Sequence, residues 1–139
     1  VKRFILDASV TLAWFIDRPM APYAALVKQR LLHGDRAVVP ALWRLEVANG
    51  FVVAERRGIL KPADTAEILQ SFELVLAQCI ENSEGSISMR HVIATARELR
   101  LTAYDAEYLD TARDQRLPLA TLDRGLEEAA AQAGVSLFR

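Results

Sequence analysis

Short apolar runs that stop at a polar residue or a proline constrain this chain more than any other feature. Phe4-Ile5-Leu6 ends at Asp7, Ala37-Val38-Val39 is closed by Pro40, and Leu117 to Leu122 runs into Asp123. Between the runs, apolar residues recur three and four apart, the spacing of one face of a helix. Short buried strands alternating with amphipathic helices predict an α/β fold with a parallel sheet.

The remaining elements follow from the same signals. Tyr23, Leu26, Val27 and Leu31 share a helix face, and Gly34 stops that helix. A second helix runs from Leu42 to Arg57 and ends at Gly58. Pro62 suits a helix start, and the stripe Ile68, Leu69, Phe72, Val75, Leu76 and Cys79 carries that helix on to Cys79. Asn82 to Ser88 reads as a polar loop. Met89, Val92, Ile93, Ala96 and Leu99 mark the next helix, and Leu101-Thr102-Ala103 reads as a short strand or extended link. A helix from Asp105 to Gln115 follows, then the strand Leu117 to Leu122. A last helix runs from Arg124 to Ala133 and stops at Gly134, with Val135 to Phe138 as a final strand. That makes about four to five strands in one domain spanning residues 1–139.

No apolar run is long enough to span a bilayer. Cys79 is the only cysteine, which rules out an internal disulfide or a cysteine metal cluster. It sits in an apolar stretch as a buried structural thiol, and the pattern fits a reducing, cytoplasmic setting. The net charge of −1 neither excludes a nucleic-acid substrate nor argues for one. His33 and His91 stand in no metal-ligand spacing, and there is no glycine-rich phosphate loop.

Carboxylates carry the chemical signal. Asp7 and Asp123 each stand where an apolar strand gives way to a helix. Ligands of open parallel sheets bind beyond the carboxyl ends of the strands, yet aspartate is also a preferred helix cap. Both readings stand for both residues. Asp105 opens its helix, again as cap or ligand, while Asp110 is expected to face solvent. Glu46 is harder to explain structurally. It shares with Leu42, Asn49 and Val53 one face of a largely apolar helix. A carboxylate there needs a partner, either a cation or an arginine such as Arg44. An all-oxygen ligand set selects a hard ion such as Mg²⁺ or Mn²⁺.

Asp7-Ala8-Ser9, Leu45-Glu46-Val47-Ala48-Asn49, Leu101-Thr102-Ala103-Tyr104-Asp105-Ala106 and Ala120-Thr121-Leu122-Asp123 together resemble the PIN-domain nucleases. More narrowly they are similar to the VapC-type toxins of toxin–antitoxin pairs. The resemblance spans nearly the whole chain and is tightest from Tyr104 to Ala112. It implies a three-layer α/β/α fold and an acidic pocket of Asp7, Glu46, Asp105 and Asp123 holding Mg²⁺ or Mn²⁺. It also implies endoribonuclease activity on RNA, a homodimer, and a small antitoxin that blocks the pocket. Ser9 and Thr121 match supporting polar positions, and Asn49 matches a polar neighbour of the glutamate. Asn82 to Ser88 departs from the pattern.

Other readings are a PIN nuclease of RNA processing and a non-enzymatic α/β binding module whose acids only cap helices. A haloacid-dehalogenase-like phosphotransferase needs a second aspartate two residues after the first, where this chain has Ser9. A receiver-type domain needs an acidic pair that is not there.

Overall fold

The first apolar run becomes strand β1 (Arg3–Leu6) of a computed structural model that describes residues 1–139. Phe4, Ile5 and Leu6 are wholly removed from solvent. Burial of consecutive residues requires cover on both faces of a sheet, which is why the run shows no polar alternation. The chain continues through helices α1 (Ala8–Phe15) and α2 (Pro22–Leu32), strand β2 (Arg36–Val39), and helices α3 (Leu42–Arg56) and α4 (Pro62–Leu74). A single 3₁₀ turn (Ala77–Cys79) leads into β3 (Ile80–Asn82). Then come α5 (Met89–Leu99), α6 (Ala103–Gln115), β4 (Leu119–Ala120) and α7 (Arg124–Gln132).

The strands lie in the order β3-β2-β1-β4, and every pairing is parallel. With helices on both faces, the fold is a three-layer α/β/α sandwich. Parallel pairing brings the carboxyl ends of all the strands to one edge. Leu6 pairs with Ala120, and the Asp7 amide donates to the Ala120 carbonyl at 3.0 Å. The residues just past β1 and β4 thus lie side by side although 114 positions separate Asp7 from Thr121.

Packing of α1 against α3 fixes the second half of that edge. A Cβ built on Gly50 of α3 would stand 2.3 Å from Leu12 Cδ2 of α1, so a larger residue there would displace the Leu12 side chain. At the far side Phe138 stacks on Phe4 at 4.0 Å between ring centres, and the Tyr23 hydroxyl donates to the Phe138 carbonyl.

Several sequence expectations need correction. Leu101-Thr102-Ala103 is a link and not a strand: Leu101 and Thr102 join α5 to α6, and Thr102, in extended conformation, is the N-cap of α6, its hydroxyl accepting the Asp105 amide. The helix that starts at Pro62 stops at Leu74, where Val75 leaves the helical region, and its stripe does not continue to Cys79. Ile80–Asn82 pairs with β2 instead, so the strand takes the first residue of the supposed loop, and Ser88 caps α5. The run Leu117 to Leu122 yields only a two-residue strand, because Pro118 has no amide to give a ladder. Val135 to Phe138 makes one bridge, Leu137 to Leu119, rather than a strand. Helix α1 left no periodic signal, since Ala8, Val10, Thr11, Ala13 and Trp14 bury it nearly all round. Cys79 is half-buried, its thiol 3.5 Å from the Leu31 carbonyl. Asp110 does not face solvent: it is buried between α5 and α6, where the Thr95 hydroxyl donates to it at 2.7 Å. No helix is long and apolar enough to cross a membrane.

Candidate active site

Asp7 occupies the N-cap position of α1, yet its side chain caps nothing. Its Oδ2 instead accepts the Ser9 hydroxyl at 2.6 Å and the Thr121 hydroxyl at 2.8 Å. Each hydroxyl also accepts an amide from the strand-to-helix turn after β4: Leu122 N–H to Ser9 Oγ, and Asp123 N–H to Thr121 Oγ1, both at 3.0 Å. Ser9 and Thr121 therefore lock the end of β1 to the end of β4 and orient the Asp7 carboxylate between them. Asp123 is a true cap, its Oδ1 accepting the Leu126 amide of α7 at 3.0 Å. Its other oxygen accepts no side-chain hydrogen bond, so capping and ligation are compatible.

Glu46 reaches the same place from α3. Its partner is neither Arg44 nor any other cation. Arg44 turns to the Asn82 side chain and the Trp43 ring. Glu46 Oε1 accepts the hydroxyl of Tyr108 at 2.6 Å. Asp105 lies in the first turn of α6, one turn before Tyr108, and because Thr102 does the capping, its carboxylate is not spent on the helix end. Asn49, one turn on from Glu46, is exposed and makes no hydrogen bond to it.

The electrostatics show that the four acids form one group. Burial drives the Asp7 carboxyl above its ordinary pKa; the Ser9 and Thr121 hydroxyls draw it back, and the Asp123 charge pushes it up again. Glu46 is raised first by burial and then by Asp7 and Asp105, against the pull of Tyr108. Asp105 is raised by burial, Asp7 and Asp123, against Thr102. Asp7 is thus the buried floor, Glu46 and Asp105 the half-buried walls, and Asp123 the exposed rim. The molecule's ion pairs, Arg3–Glu81, Arg30–Asp35 and Arg36–Glu81, involve none of them.

Mutually repelling carboxylates without a basic partner fit a divalent cation. No three His, Cys, Asp or Glu side chains stand as a ready-made chelating group. The fit is therefore to an ion held by one or two carboxylates and by water, as Mg²⁺ is.

Tyr108 and Thr102 escaped sequence reasoning. Tyr108 stands one turn from Asp105 on the same face, but a tyrosine among the apolar residues Leu109 and Ala112 reads as packing. Thr102, three residues before Asp105, has the spacing of a cap. Beside the site runs an apolar groove of about 420 Å³ between α1, α3 and α4. It contains none of the four acids and is walled by Phe15, Trp43, Phe51 and Phe72. Thr11 and Trp43 belong to its lining, with Thr11 Oγ1 and Trp43 Nε1 themselves buried and without partners.

A family model described as PIN domain matches residues 4–132. No curated protein matches the chain. Among solved structures, PAE2754 from Pyrobaculum aerophilum is similar at 24% identity and a TM-score of 0.66, covering 93% of this chain and 84% of its own. FitAcB from Neisseria gonorrhoeae is similar at 19% identity and a TM-score of 0.63, covering 98% of this chain and 96% of its own. At these identities the likeness is one of fold.

Proposed function

The chain belongs to the PIN-domain family, and on that premise we propose that it is a divalent-metal-dependent endoribonuclease, the toxin of a VapC-type toxin–antitoxin pair. The observation that carries the nuclease reading is the set of Asp7, Glu46, Asp105 and Asp123, gathered at the carboxyl edge of the sheet with no basic residue to neutralise it.

A bound Mg²⁺ or Mn²⁺ would make a water acidic enough to attack and offset the charge that builds on a phosphodiester. The chain's own residues do the rest. Asp7, Glu46, Asp105 and Asp123 would hold the ion directly or through water. Ser9 and Thr121 keep Asp7 in one orientation, which would present its carboxylate to the ion in a fixed way. A carboxylate oxygen left open by the protein takes the proton released by the attacking water. Arg124, exposed one residue past Asp123, is available to hold an RNA phosphate. Unpaired RNA is the expected substrate, since a strand must bend its phosphate into this recessed floor.

A protein partner is supported by the groove between α1, α3 and α4. Its aromatic walls suit the apolar face of an antitoxin segment. A homodimer is supported by uncovered apolar residues at helical spacing, Leu45 and Val52 on α3, Met89 and Ile93 on α5. The setting proposed is cytoplasmic.

Purified protein should cleave RNA with Mg²⁺ or Mn²⁺, stop with chelator, and lose activity by a factor of about 100 or more in Asp7→Asn. Expression should arrest growth for the wild type and not for that variant. Cleavage by Asp7→Asn at the wild-type rate overturns the metal-site reading. Cleavage without growth arrest leaves the nuclease and removes the toxin.

A further inference from the structure

Tyr108 is wholly buried, and its hydroxyl donates to Oε1 of Glu46 across 62 residues of sequence. Phenylalanine would fill the same space, so packing alone does not account for the hydroxyl. The 2.6 Å length is that of a charge-assisted O–H···O⁻ bond. Glu46 Oε2 accepts no hydrogen bond. Two further acids follow the pattern of one engaged oxygen: Asp7 through Oδ2 and Asp123 through Oδ1.

We propose that Tyr108 is the positioning residue of Glu46 and that it sets which ion the site prefers. Anchored at Oε1, the carboxylate is biased against turning both oxygens toward one ion, and Oε2 is the oxygen left free of hydrogen bonds. Ions that take carboxylates singly and keep their water, Mg²⁺ and Mn²⁺, are favoured over Ca²⁺, which readily takes both oxygens of a carboxylate. Tyr108 also ties α6, which carries Asp105, to α3, which carries Glu46, so one bond fixes the spacing of two acids. This inference rests on the metal-site reading above.

The test is calorimetric titration of metal-free wild type, Tyr108→Phe, Glu46→Gln and the double variant with Mn²⁺, Mg²⁺ and Ca²⁺. Tyr108→Phe should weaken Mn²⁺ and Mg²⁺ by about tenfold while Ca²⁺ binds as in wild type or tighter. In the Glu46→Gln background the same change should add nothing. RNA cleavage should lose kcat with KM near wild type. Unchanged Mn²⁺ affinity, an equal loss for all three ions, or an additive loss in the double variant overturns the proposal. A measurement on wild type guards against a variant that fails to fold. The Tyr108 hydroxyl proton should give a downfield resonance that persists when Mg²⁺ is added; its loss on Mg²⁺ addition shows Glu46 released and overturns the proposal. Wild type that binds none of the ions overturns the metal-site reading, and this inference with it.

Discussion

Asp7 is placed where its charge is costly. It is buried, faces Asp123, and sits above its ordinary pKa because of burial first and that neighbour second. Two hydroxyls offset part of the cost, and an asparagine oxygen can accept both of them. Asp7→Asn should therefore raise the stability of metal-free protein by about 1 kcal/mol while removing activity, the exchange expected where a functional group is strained. Chemical denaturation of wild type and variant with chelator present checks this; a variant less stable than wild type contradicts it. Residue identity made this site partly legible. Glu46 stood out as a carboxylate on an apolar helix, and its partner turned out to be a tyrosine hydroxyl rather than an arginine. Asp110 was misread because Thr95, the residue that receives it, lies on the preceding helix and carries no charge to betray the contact.

At the scale of elements, α5 and α6 form a hairpin of helices that presents Asp105 and Tyr108 to the sheet. Inside it Asp110 Oδ1 holds the Thr95 hydroxyl, while Oδ2 is buried without a partner. Thr95→Val keeps the shape and strips the one donor, leaving a bare buried carboxylate. It should cost about 1–3 kcal/mol, whereas Thr95→Ser should stay close to wild type; thermal melts of the two compare them directly. The elements whose residues alternate or carry caps were legible. Helix α2 closed at Gly34, α3 at Gly58 and α7 at Gly134, each glycine at positive φ. Those settled by pairing were not. Ile80–Asn82 is a strand only because Ala37, Val38 and Val39 lie beside it. Helix α1 is buried nearly all round and so leaves no amphipathic trace.

For the whole molecule, repulsion within the acidic group couples stability to pH and to metal. Asp7, Glu46 and Asp105 have raised pKa values when folded, so the native state binds their protons more tightly than the unfolded chain does. Their contribution to stability is full below the ordinary carboxylate range and is lost as pH rises through the raised values. Asp35 works the other way. Burial raises it, but the Lys2 amide and Arg30 outweigh that and hold it low, so its contribution is lost only as pH falls further. With chelator, the melting temperature should climb as pH drops from neutral toward the carboxylate range. Saturating Mg²⁺ or Mn²⁺ should cancel that climb by stabilising the neutral-pH protein, by about 2.7 kcal/mol at one hundred times Kd. A melting temperature that ignores both pH and metal over this window contradicts the coupled site.

The amino-acid order alone determined the class of fold and the candidate acids. Strand burial, helix periodicity and helix stops are local, and each is written in a few neighbouring residues. Tertiary structure decided which acids meet and what holds them. Asp7 lies against Thr121 because Leu6 pairs with Ala120, and Glu46 meets Tyr108 because α3 and α6 converge at the same edge. Contacts of that range depend on strand register and helix packing, which no local run of residues specifies.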